Sequence, residues 1–332
     1  MYKNLMTPWT GLLSGLLLAV SSNSWFGVWC GLELNMISYI AYIAQTQQIS
    51  AAETLLKYFL TQASGSFMLL VSAILYHEYS PLMENMITTS LALKIGAAPL
   101  HFWYPQIAEN LNWLPLLTLM TLQKVAPLTL LSYILTSSNL FLYFLIIILS
   151  SIIGSTSGLN ELSARKLLSF SSINHLSWLL LAMMTPDMTW SFYLLIYSTI
   201  LTILTLALNS NQIHHISQLL SKNTTPHTQF AISIAFLSLA GLPPFLGFIP
   251  KWLVITKSME LLLLPITFTL IMFSVVMLYY YLRINTSIMM YKSPSQPNPY
   301  LNQPSFLNLI STLTNIACPI ATPLLWSSKL LQ

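Results

Sequence analysis

The chain has 332 residues, of which 55% are hydrophobic and only 6% are charged. A soluble domain carries about 25% charged residues, so this chain cannot coat its own surface with polar groups and its solvent is lipid. The net charge of +4 is scattered with no basic block, which excludes nucleic acid as a partner.

A spanning helix needs about 20 mostly apolar residues. On that scale the sequence predicts about eleven spans, at 5–22, 25–45, 54–76, 86–104, 114–135, 139–158, 164–184, 189–208, 229–256, 261–284 and 304–326. Residues 5–20 carry no cleavage signature and read as a retained first span. The first span holds GLLSG at 11–15, a pair of glycines spaced to let another helix approach closely. Glu33 lies in the middle of the second, where a lone acid is expensive unless paired. Glu53 and Lys57 open the third as an i, i+4 pair.

The fourth span, LALKIGAAPLHFWYP at 91–105, carries Lys94 and then breaks with Pro99 and Pro105, His101 following the first proline. A lysine at the bilayer centre costs about 2.5–3.5 kcal/mol, and a proline frees backbone groups that lipid cannot satisfy. Glu33 and Lys94 are the natural ion pair. The fifth span places Lys124 three residues before Pro127. In the seventh, FSSINHLSWLLL carries His175, and the polar stretch 209–228 follows the eighth. The ninth, SLAGLPPFLGFIPKWLVI at 238–255, breaks at Gly241, Pro243, Pro244, Gly247 and Pro250 before Lys251. A proline-rich loop at 285–303 precedes the last span.

Alternating the charges along these spans puts Lys3, Lys57, Arg165, Lys166, Lys222, Arg283 and Lys292 on the N-terminal side, against Lys257 and Lys329 on the other. That bias places the N-terminus on the cytosol-like side and the C-terminus opposite. The three remaining basic residues, Lys94, Lys124 and Lys251, lie inside spans. The broken, lysine-bearing helices are fourth and ninth, so ten spans divide into two sets of five, related by inversion because five is odd. The fold class is therefore all-α integral membrane: two inverted five-helix repeats, 1–135 and 136–284, two discontinuous helices, and a loop with one extra helix at 285–332.

Burial disfavours the charged form of an amine, so buried lysines alternating with Glu33, His101, His175 and water can pass a proton by short hops. Ser171, Ser172, Thr118 and Thr121 are placed to orient that water. Cys30 and Cys318 form no CxxC or Cys/His cluster, and no glycine-rich nucleotide motif occurs. Neither a metal nor a nucleotide is expected.

The segments SSNSWFGVWCGLELNMISYI, LKYFLTQASGS, LKIGAAPLHFWYP, QKVAPL, GLNELSARKLLSFSSINHLSW and LAGLPPFLGFIPKW together resemble the antiporter-like subunits of respiratory complex I, in their short animal form. The resemblance covers residues from about 21 to 256 and is weak beyond 285. It implies eleven spans, with Glu33 and Lys94 as a coupling pair, Lys124 next along a polar axis, and Lys251 at its end. It implies a translocase subunit of H+-translocating NADH:ubiquinone reductase in the mitochondrial inner membrane, N-terminus in the matrix and C-terminus in the intermembrane space. It implies no redox cofactor here; flavin, iron–sulfur clusters and ubiquinone belong to other subunits. Partners are other membrane-arm subunits and lipids. A free-standing cation/proton antiporter and a membrane scaffold remain alternatives.

Overall fold

A computed structural model describes residues 6–46, 51–76, 80–135, 140–185, 188–221 and 226–290. The span expected at 304–326, together with Lys3, Lys222, Lys292 and Lys329, lies outside them. Among the described residues every regular element is a helix, with one isolated bridge between Ser163 and His215. Two compact units divide the chain, Met1–Ser150 and Ser151–Gln332.

In the first unit, α1 (Met6–Ser21) packs along α2 (Trp25–Thr46). The contact is backbone on backbone: a Cβ at Gly15 would come 2.7 Å from the nitrogen of Asn35, and one at Gly31 would strike Ala19. Small residues allow this approach, as the GLLSG spacing anticipates. The helix α3 (Ala51–Ile74) follows, then α4 (Ser80–Ile95) and α5 (Trp103–Asn110). Glu53 accepts from the Lys57 ammonium at 2.7 Å, and this bond holds the exposed carboxyl below its usual range.

The 114–135 span holds an interruption that the sequence reading did not expect. It divides into α6 (Trp113–Met120) and α7 (Leu122–Ile134) at Thr121. Thr121 Oγ1 donates back to the carbonyl of Leu117 at 2.7 Å, and Lys124 N donates to the carbonyl of Thr121, three residues back, at 3.1 Å. Such back-bonding bends helices, and Pro127, with no N–H, leaves the carbonyl of Gln123 without its helical donor. Trp113 is 1% exposed at the start of α6.

After α8 (Leu140–Thr156), the second unit is organised around α9 (Ala164–Met183), buried at every residue from Leu167 to Met183. Against it pack α10 (Thr189–Ser210), α13 (Phe248–Glu260) and α14 (Leu264–Met290), while α12 (Pro226–Ala240) packs on α10 and α14 and the short α11 (Ile216–Ser221) on α14. Outward faces carry exposed large apolar residues such as Leu17, Phe67, Phe141, Leu195 and Phe268, the arrangement expected against lipid.

Among the described residues, five stretches are long and apolar enough to cross a bilayer: Trp25–Thr46, Trp113–Ile134, Leu140–Asn160, Thr189–Ser210 and Leu264–Met290. Among the other described spans, the departures have physical causes. The fourth and ninth are broken, and α9 carries serines, an asparagine and a histidine along its length.

Candidate functional site: lysines buried at helix interruptions

Both breaks are made by the same device. A helix end leaves carbonyls without donors, and a glycine in the left-handed region lets the following N–H groups fold back on them. At the end of α4, Gly96 (φ +78°) donates to Leu93 and Ala97 donates to Ala92, at 3.1 and 2.9 Å. At the end of α12, Gly241 (φ +83°) donates to Ser238 at 3.1 Å and Leu242 to Leu237 at 3.5 Å. The prolines that follow cannot continue the helix, so α5 and α13 start afresh several residues on.

Each break exposes the negative end of a half-helix, which favours a cation. A lysine lies at each. Lys94 occupies the last turn of α4 and is 6% exposed. Its own carbonyl accepts from Gln62 Nε2 at 3.2 Å, and Trp103 Nε1 donates to Leu93 at 3.1 Å, so the chain end is capped by side chains of α3 and α5. Gly65 makes room for the lysine stem, since a Cβ there would lie 3.2 Å from Lys94 Cγ. Lys251 comes from the other side of its break, in the first turn of α13. It is 5% exposed and reaches back so that Nζ donates to the carbonyl of Ala240 at 2.8 Å.

Lys124 is 1% exposed, and its Nζ lies 5.4 Å from the centroid of the Tyr104 ring, at cation–π distance. Tyr104 stands on α5, so Lys124 faces the second half of the broken helix. Glu33, half-buried on α2, acts electrostatically on the Lys94 ammonium, but among the described residues the two make no ion pair within 4.0 Å. His101 is 6% exposed within the first break, with Nδ1 3.2 Å from the carbonyl of Pro99. His175, in the second unit, meets the Tyr193 hydroxyl through Nδ1 at 2.8 Å, and the Tyr197 ring lies 4.8 Å away.

The first unit therefore brings Glu33, Lys94 and Lys124 into one neighbourhood across α2, α4 and α7, while Lys251 and His175 belong to the second. Several members of the site escaped the sequence reading. Asn35 and Gln123 exchange amide hydrogen bonds at 3.2 Å each way, and Tyr58 donates to Gln123 Oε1 at 3.4 Å. Asn35, Tyr58, Gln62, Lys94 and Gln123, with Leu32, Met36 and Pro127, enclose a small cavity with about 10 Å³ for a water centre. The available signal was an amide inside an apolar span, as at 35, 62 and 123. The hydroxyls of Ser171, Ser172 and Thr118 donate to carbonyls of their own helices at 2.6–2.8 Å, which leaves each oxygen able to accept.

A helical membrane fold with lysines buried at interrupted helices defines the antiporter-like class of membrane protein. The sequence matches the family described as NADH:quinone oxidoreductase/Mrp antiporter, TM, over residues 22–278. The NADH-ubiquinone oxidoreductase chain 2 of Anopheles gambiae is 43% identical over 319 residues, covering 92% of this chain and 91% of that one. A chain of respiratory complex I from Thermus thermophilus superposes with a TM-score of 0.81 at 23% identity, over 96% of this chain and 76% of that chain. A chain of the Mrp complex from Dietzia sp. gives 0.77 at 18% identity, over 87% and 61%. The chain belongs to the NADH:quinone oxidoreductase/Mrp antiporter family of membrane subunits.

Proposed function

We propose that this chain is a proton-translocating membrane subunit of an NADH:ubiquinone reductase. The observation that carries the reading is the burial of Lys94, Lys124 and Lys251 inside the protein, beside helix ends, an aromatic face and a polar cavity. Placing three ammonium groups there is costly, and packing alone gives no return for it. The name shared by its insect and vertebrate relatives supports the assignment to that enzyme.

In this reading electrons travel through other subunits, which hold the flavin, iron–sulfur clusters and ubiquinone. Their free energy reaches this chain as a displacement of the Glu33 carboxylate relative to Lys94. That displacement alters the energy of the Lys94 ammonium, and its proton moves. Lys124 in the first unit and Lys251 in the second are further proton-holding groups, with His101 and His175 as auxiliaries. The same reading includes eleven spans in two inverted repeats of five with one added. It places the chain in the mitochondrial inner membrane, N-terminus in the matrix and C-terminus in the intermembrane space, among other membrane subunits and lipids.

The test is Lys94→Met in the assembled complex. Met keeps the length of the side chain and removes the ammonium, and recovery of the intact complex is measured alongside. NADH-driven proton uptake should collapse while the complex still assembles; an unchanged number of protons per NADH would refute the role. The family description also covers Mrp antiporters, which favours a second reading, a free-standing antiporter. That reading predicts cation/proton exchange by the purified chain with no NADH-oxidising assembly attached.

A further inference from the structure

We propose that Asn35 and Gln123 are positioning residues: their amide clasp holds one water molecule against Lys94, and that water is the first acceptor of the lysine's proton. The proposal rests on the reading of Lys94 as a proton carrier.

The clasp joins α2, which carries Glu33, to α7, which carries Lys124. Each amide gives one N–H to the other's oxygen at 3.2 Å. An amide has no proton to release at neutral pH, so the pair cannot relay one itself. As interhelical glue it would be complete in a dry contact. It is not in a dry contact: the clasp forms one wall of the cavity beside Lys94, whose room of about 10 Å³ suits one water.

The hydrogen-bond inventory of that cavity selects the occupant. Gln123 Oε1 already accepts from Asn35 and from Tyr58, which fills its two lone pairs. Asn35 and Gln123 each keep one amide N–H, and Lys94 supplies up to three more. Gln62 gives an N–H to the Lys94 carbonyl and keeps its oxygen. The wall is therefore rich in donors with an acceptor at one side. A water accepts from the ammonium and an amide, and donates to the Gln62 oxygen, which is the two to four partners a buried water needs. In the transfer, one N–H bond of Lys94 breaks as an O–H bond to that water forms. The resulting hydronium passes a different proton through its remaining O–H to a second water outside the cavity, leaving a neutral amine and the original water.

The experiment compares Asn35→Leu, Gln123→Met and the exchanged pair Asn35→Gln/Gln123→Asn in the assembled complex, in H2O and D2O, with Lys94→Met alongside. Each single variant is expected to slow NADH-driven proton translocation by about ten- to a hundredfold, the scale of misplacing a positioned group. The solvent isotope effect should rise, because transfer from Lys94 becomes limiting. The exchanged pair moves one methylene across the clasp, keeps both amide bonds, and should recover to within about threefold of the wild-type rate, since a restored clasp restores the water-mediated contact. Single variants with normal rates overturn the proposal. So do slow variants with an unchanged isotope effect, or an exchanged pair as slow as the singles. If a single variant does not assemble, the exchanged pair decides alone by the same criterion. Should Lys94→Met keep pumping, the reading of function falls; should it stop while the clasp variants run normally, the clasp alone falls.

Discussion

The Nζ of Lys251 donates to the carbonyl of Ala240 across a gap that Gly241 keeps open. A Cβ on Gly241 would sit 2.9 Å from that Nζ, and the residue's φ of +83° is one that side-chain-bearing residues avoid. Gly241→Ala therefore carries two penalties: about 1–2 kcal/mol for the left-handed backbone, and displacement of the lysine from its carbonyl. The expected outcome is a lower melting temperature of the assembled complex together with reduced proton translocation; unchanged values of both would show that the break tolerates a side chain. At this scale the sequence was a good guide to charge. The lysines of interest stood out because the remaining basic residues fall at span ends. It was a poor guide to amides and tyrosines. Asn35, Gln123, Tyr58 and Tyr193 are ordinary polar residues along a helix, and only packing shows which of them meet.

At the scale of elements, helix interruptions and close helix contacts determine where polar groups can gather. The breaks after Ile95 and Ala240 were legible because Gly and Pro act locally, through φ and a missing donor. The break at Thr121 was not, since it depends on a threonine turning to the carbonyl four residues back, one of several bonds open to it. The α1–α2 contact was legible from GLLSG, but its partner on α2 was not. A Cβ on Gly15 would come 2.7 Å from the nitrogen of Asn35 and 3.0 Å from the carbonyl oxygen of Gly31. A Gly15→Leu substitution must push α1 off α2 near Asn35. Overpacking of this kind costs about 1–3 kcal/mol, occasionally more. Less chain should be recovered in the assembled complex, measured by native electrophoresis, whereas Leu17→Ala on the exposed face of α1 should assemble as the wild type does. Equal recovery of both variants would contradict the close contact.

For the whole molecule, the low charge content fixes the solvent and the apolar periodicity fixes the helical class. The family membership then agrees with both. Membrane proteins reveal this much because lipid forces every backbone group into a helix or a closed barrel. Length and apolarity alone recover five stretches among the described residues, because segments rich in polar groups or cut short by a break depart from a plain apolar helix. The polar cavity beside Lys94 was not legible, because it requires α2, α3, α4 and α7 to come together from positions as far apart as 35 and 123.

The central claim is that protons move through lysines buried within the fold. Lys124 tests it best, being 1% exposed and outside both broken helices. The decisive measurement is the number of protons translocated per NADH oxidised by vesicles carrying the assembled complex with Lys124→Met. The account predicts a lower ratio than the wild type's while the complex remains assembled. An unaltered ratio at full NADH oxidation would contradict it.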